Sequence, residues 1–166
     1  PLDPKIVFIN AIAGYSSAIK LNTFAITSFT TMANGLSNFT AQNIGAKKIE
    51  RVYEGFRSGV KLVMICVLPF FTLFFFFSDY MIELFMNTDS QLAINIGSQF
   101  LKIVSPFYFV ISIKLIADGV LRGSGAMNYF MIATFLDLII RVALSFILSN
   151  YFKTTGIWLS WPIGWT

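Results

Sequence analysis

The stretch AQNIGAKKIER, Ala41 to Arg51, joins an uncharged run to the densest basic cluster of the chain. No residue from Leu21 to Ile44 carries a charge. Wound as a helix rising about 1.5 Å per residue, that run can cross a hydrocarbon core of roughly 30 Å. Lys47, Lys48, Arg51, Arg57 and Lys61 follow, offset by Glu50 and Glu54. Lys and Arg gathered in a short loop between spans mark the cytoplasmic side, so this stretch predicts the inner end of a membrane helix and orients the rest.

Composition supports that class. Of 166 residues, 56% are hydrophobic, above the roughly 45–50% of a soluble domain, and the mean hydropathy is +0.73. A soluble fold would have to bury LPFFTLFFFF, Leu68 to Phe77, on every face. The net charge of +4 is explained by the basic loop rather than by a nucleic-acid surface. With Cys66 as the one cysteine and no histidine, neither a disulfide framework nor a zinc site can be built, and no metal or cofactor is expected. Phosphate-cradling glycine loops and a histidine base are absent, and GSG at Gly123 to Gly125 reads as a turn, so catalysis is not expected.

The expectation is an all-α polytopic helical bundle. Pro1 to Lys20 reads as a loop, or as the end of a preceding helix plus an outer connection. The first span runs about Ile19 to Gly45. Thr23, Thr27, Thr30, Thr31, Asn34, Ser37, Asn38 and Thr40 recur there at three- and four-residue spacing, which lays many of them along one face. Lipid offers them no hydrogen-bond partner, so the stripe faces other helices or a water-filled cavity. The second span, about Gly59 to Ser78, should kink at Pro69. The following loop, about Asp79 to Gln91, holds Asp79, Glu83 and Asp89 without a basic residue, as suits the outer side. The third span, about Leu92 to Val120, carries Lys102, Pro106, Lys114 and Asp118 and should score weakly for hydropathy. The turn RGSGAMN follows, with Gly123 and Gly125 allowing a tight reversal. The fourth span, about Tyr129 to Leu148, precedes Trp158, Trp161 and Trp165, residues that favour the membrane interface.

Two ionic pairs stand out. Asp137 and Arg141 lie one helical turn apart, roughly 12–15 Å into their helix and near the bilayer centre. A charge there costs about 2.5–3.5 kcal/mol on insertion scales. The pair is therefore either a structural lock or a carboxylate whose charge state is coupled to conformation. Lys114 and Asp118 have the same spacing and can pair nearer the aqueous edge.

AQNIGA followed by Arg51, LRGSG at Leu121 to Gly125, Arg141 in the next helix and GIW at Gly156 to Trp158 together resemble the second half of multidrug and toxic compound extrusion (MATE) transporters, the bacterial DinF-like kind most closely. The resemblance implies twelve helices in two lobes. Residues 1–166 would form a C-terminal-lobe fragment, truncated at both ends, with helices 8 to 11 and parts of 7 and 12. It implies a multi-pass bacterial inner-membrane antiporter that exchanges Na+ or H+ for small amphipathic or cationic compounds by alternating access. Its partners would be the bilayer and the missing N-terminal lobe. The matched motif residues Gln42, Asn43, Gly45, Arg51, Arg122, Gly123 and Gly125 read as structural, with the AQN-G junction capping helix 8. The coupling aspartate that some members carry in helix 10 falls near Ile111, and the acidic residue often found after the RGxG turn is Ala126, which points coupling to the missing half. Thr23, Thr27, Thr30, Asn34 and Asn38 are the cavity candidates; Asp137, Arg141, Lys114 and Asp118 are the charge pairs. Two rivals remain: a lipid-linked precursor flippase of the same superfamily, and a non-transporting helical subunit.

Overall fold

The structure, a computed structural model, describes residues 4–86 and 90–164, with side chains described at residue 5, 8–86 and 90–147. Asp89 and the three tryptophan side chains lie outside the described residues. Six helices follow one another: α1 (Pro4–Gly45), α2 (Ile49–Phe76), α3 (Ser78–Met86), α4 (Gln91–Val104), α5 (Tyr108–Gly123) and α6 (Met127–Gly164), with one 3-10 turn, Ser105–Phe107, between α4 and α5. There is no strand among the described residues.

Three segments are long and apolar enough to cross a membrane: Ile49–Phe76, Gln91–Gly123 and Met127–Ile147. The third-span expectation of weak hydropathy is thus overturned, because Ile, Leu, Val and Phe outweigh its few polar side chains. Pro69 sits inside an unbroken α2 and leaves the Ile65 carbonyl without its usual helical donor. Pro106 falls in the 3-10 turn, where the α4–α5 span changes helix type.

The reading of Pro1 to Lys20 as a loop fails. One 42-residue helix runs from Pro4 through Gly45, roughly 63 Å long at 1.5 Å per residue. Tertiary packing explains the extension. Gly14 lies so close to α4 that an added Cβ would collide with the Ala93 backbone, and one on Gly97 would press on the Gly14 carbonyl. Tyr15 meets Phe100 edge-on, with ring centroids 5.3 Å apart.

The same helix presents a second close approach lower down. A Cβ on Gly119 would strike the Ala33 carbonyl, and one on Gly123 the Ser37 carbonyl. Gly119 and Gly123 therefore form a small-xxx-small pair that lets the α1 and α5 backbones touch. Between the two seams lie Phe29, Phe74 and Tyr108, all buried, with Phe29–Tyr108 and Phe74–Tyr108 centroids 5.8 and 6.1 Å apart. The Tyr108 hydroxyl donates to Asn22 Oδ1 at 2.9 Å, a buried tie from α5 back to α1. α1 is consequently the central strut, with α2, α4 and α5 packed around it. α6 sits outside, its partly buried stripe of Phe130, Ala133, Asp137, Arg141 and Leu144 turned toward the bundle.

Candidate functional site

α1 has two unlike faces. Ala18, Leu21, Ala25, Phe29 and Ala33 are buried against the other helices. Thr23, Thr27, Thr31, Asn34 and Asn38 are exposed along the other side, and Thr30 is partly buried at its border. Thr30 and Thr31 donate to the carbonyls of Ile26 and Thr27, each at 2.9 Å. Such back-bonding meets the hydroxyl's need for an acceptor while its oxygen lone pairs stay open. The stripe is uncharged, continuous over about four turns, and opposite the face that holds the lobe together. It can offer hydrogen bonds without imposing a charge.

Sequence spacing alone mis-assigned one ion pair. Lys114 does not bond Asp118: its Nζ donates to Asp137 Oδ2 across the α5–α6 interface at 2.9 Å. Arg141 Nη2 donates to the same oxygen at 2.9 Å, as the one-turn spacing predicts. The cross-helix bond prevails because Lys114 lies on the α6-facing side of α5 and Asp137 offers it a carboxylate only 12% exposed. In that setting a charge-assisted bond is less weakened by water. Asp137 Oδ1 is buried with no hydrogen-bond partner among the described residues. Asp118 enters no ion pair among the described residues but stays within electrostatic range of Lys114 and Asp137. Four charges of zero net sum therefore gather between α5 and α6. Nearby, Arg122 Nε donates to the Asp118 carbonyl at 3.4 Å, and its guanidinium lies over the Phe130 ring at 5.6 Å.

The motif residues form turns. Lys48 N–H donates to the Asn43 carbonyl at 2.8 Å and Lys47 N–H to that of Ile44 at 2.9 Å, the two bonds of a Schellman end. The left-handed residue of that end is Lys47, with φ 59°, two positions past Gly45, the last residue of α1. Asn43 is buried and donates from Nδ2 to the Phe39 carbonyl at 2.8 Å, whereas Gln42 is exposed. Arg51 is exposed on the first turn of α2. At the other inner turn, Ala126 N–H donates to Leu121 and Gly125 N–H to Arg122, again a Schellman end, with Gly125 at φ 76°. Gly123 is not a turn residue; its missing side chain serves the contact with α1.

At the outer end, Lys102 Nζ and Asp79 Oδ2 pair at 3.2 Å, joining α4 to the short helix α3. The Ser98 hydroxyl and then Lys102 hold the Asp79 carboxyl below its ordinary value. The loop expected after the second span is thus partly helical. No cluster of metal-ligating side chains occurs among the described residues.

Three apolar spans, a polar central helix and a neutralised charge cluster define a multi-pass helical membrane protein. The MatE family model matches residues 9–147, and the chain belongs to that family. Among curated proteins it is 26% identical over 156 residues to "Probable multidrug resistance protein YoeA" of Bacillus subtilis (strain 168), covering 92% of this chain and 33% of that protein. It is 24% identical over 151 residues to "Probable multidrug resistance protein YpnP" of the same organism, covering 90% and 34%. It is also 27% identical over 122 residues to "Probable lipid II flippase MurJ" of Buchnera aphidicola subsp. Schizaphis graminum (strain Sg), covering 70% and 23%. A solved structure described as "Crystal structure of MATE in complex with MaL6" superposes with a TM-score of 0.84 at 19% identity, over 94% of this chain and 36% of that one, a likeness of fold. The chain spans about a third of the length of the B. subtilis relatives.

Proposed function

We propose that the chain is part of a cation-coupled antiporter that exports amphipathic, often cationic, compounds by alternating access, and that the exposed stripe of α1 lines its cavity. The observation that carries this reading is the stripe itself: Thr23, Thr27, Asn34 and Asn38 are exposed on a helix whose opposite face is buried and apolar. A non-transporting subunit would have no use for such a face unless partners covered it. Irregular or polar surface at membrane depth is tolerated where it meets protein or water. The relatives named as multidrug resistance proteins support the direction and class of cargo. The Asp137 cluster would act as an ionic clamp inside the lobe, with coupling by Na+ or H+ seated in the other lobe.

The flippase relative supports a second reading. A flippase cavity must receive phosphate, yet both deep basic side chains of this chain, Lys114 and Arg141, are bound to Asp137. That favours the antiporter. The test is efflux of a fluorescent organic cation from vesicles holding the full-length parent under an imposed Na+ or pH gradient. Export that follows one gradient is the expected result; no export under either defeats the reading. Cysteines placed at Thr27 and Asn34 should react with a water-soluble thiol reagent and be protected by cargo, whereas cysteines at Ala25 and Ala33 should not react.

A further inference from the structure

Below the inner turns, α2 and α5 leave an apolar groove of about 430 Å³. Ile44, Ile49, Val52, Phe56, Ala117 and Leu121 are among its walls. It lies within two turns of the ends of α1 and α5, where a spanning helix would emerge from the hydrocarbon. Tyr53, also on the groove, is exposed and amphipathic, as side chains of this boundary are. Ile49 is shared with a second depression walled by Lys47, Lys48, Glu50 and Arg51. Those three cations face Glu50, with Glu54 also beside Arg51, and enter no ion pair among the described residues. The α1 Schellman turn fixes Lys47 and Lys48 there through two backbone bonds, so the basic mouth is built into the fold.

An apolar slot beside a mouth of net positive charge complements one chemistry. We infer that the inner end of the lobe binds an anionic glycerophospholipid of the cytoplasmic leaflet, its phosphate on Lys47 and Lys48 and one acyl chain in the groove between α2 and α5. Zwitterionic lipid fits the slot equally but gains less from the mouth, because its headgroup carries a compensating cation. Juxtamembrane Lys and Arg attract anionic leaflets, and here the groove converts that general attraction into a seat for a single molecule. The inference is independent of what the protein transports.

The experiment uses the full-length parent in nanodiscs of mixed phosphatidylglycerol and phosphatidylcholine. Native mass spectrometry reads the retained lipid, and phosphatidylglycerol bearing a photoreactive acyl chain reports the residues it touches. Wild-type protein should retain phosphatidylglycerol preferentially, with adducts at Val52, Phe56, Ala117 or Leu121. Lys47→Gln/Lys48→Gln alters only exposed side chains and should fold normally. Its preference should fall on the order of five-fold per lysine, roughly 30-fold for both. An unchanged preference in that variant overturns the proposal. So do adducts confined to other surfaces, or a cross-link from a cysteine at Val52 to another segment of the parent chain, which would mean that protein fills the groove.

Discussion

The Asp137 cluster predicts unequal costs for removing its members. Asp137 Oδ2 accepts from Lys114 and Arg141, and the three side chains are 12, 24 and 29% exposed. In Asp137→Asn both cations lose their counter-charge at once, and uncompensated charge in a buried pair costs about 3–5 kcal/mol. In Lys114→Gln the carboxylate keeps Arg141, so the loss is one charge-assisted hydrogen bond, about 1.5–3 kcal/mol. Asp118, one turn from Lys114, can recapture that ammonium when Asp137 is gone. Asp118→Asn should therefore be mild alone and exceed additivity with Asp137→Asn, by about 0.5–3 kcal/mol. Unfolding of the full-length parent in mixed micelles, followed by circular dichroism, measures all four proteins. If Asp137→Asn costs no more than Lys114→Gln, the shared-oxygen geometry does not describe the interaction. If the Asp118/Asp137 pair is strictly additive, the recapture by Asp118 is wrong.

Gly123→Val should destabilise the lobe by about 1–3 kcal/mol or more, because its side chain must displace the Ser37 backbone; the same unfolding assay reads it, and a neutral result would remove the α1–α5 seam. Lys47→Gly should stabilise by about 1 kcal/mol, since glycine adopts the φ of 59° without a Cβ clash, and a loss of stability would contradict the turn. Tyr108→Phe strands the Asn22 carbonyl oxygen in a buried site and should cost about 1–3 kcal/mol. Adding Asn22→Leu should recover part of that cost, which a double-mutant cycle detects.

Local periodicity revealed the three apolar spans after α1 and the Asp137–Arg141 bond, because each depends on residues near one another in the chain. What escaped depended on register between helices. Lys114 had a plausible acceptor four residues away and a better one 23 residues away, and no local rule ranks them. The Asn22–Tyr108 bond spans 86 positions. Gly119 and Gly123 were visible as a four-residue spacing, yet the nearby turn drew Gly123 into the wrong role. The first third of α1 looked like a connection because its apolar run is short; only the close approach of α4 at Gly14 supplies the packing that keeps it helical.

These misreadings share a physical cause that bears on movement. α1, α4 and α5 touch backbone to backbone through Gly14, Gly97, Gly119 and Gly123, contacts that vanish within an ångström of displacement and so hold those helices as one body. α6 is joined differently. Its described outer surface is exposed, and its side-chain links to α5 are those of long, flexible Lys114, bonded to Asp137, and Arg122, lying over Phe130, while Arg141 holds Asp137 from within α6. Such side chains can follow a helix through a displacement that close-packed glycines cannot tolerate, and Asp118 offers Lys114 a second acceptor along the way. The described helices therefore divide mechanically into a rigid α1–α4–α5 body and an α6 joined to α5 through the flexible Lys114 and Arg122 side chains. A rearrangement within the lobe would use the α5–α6 interface before it opened the seams of α1.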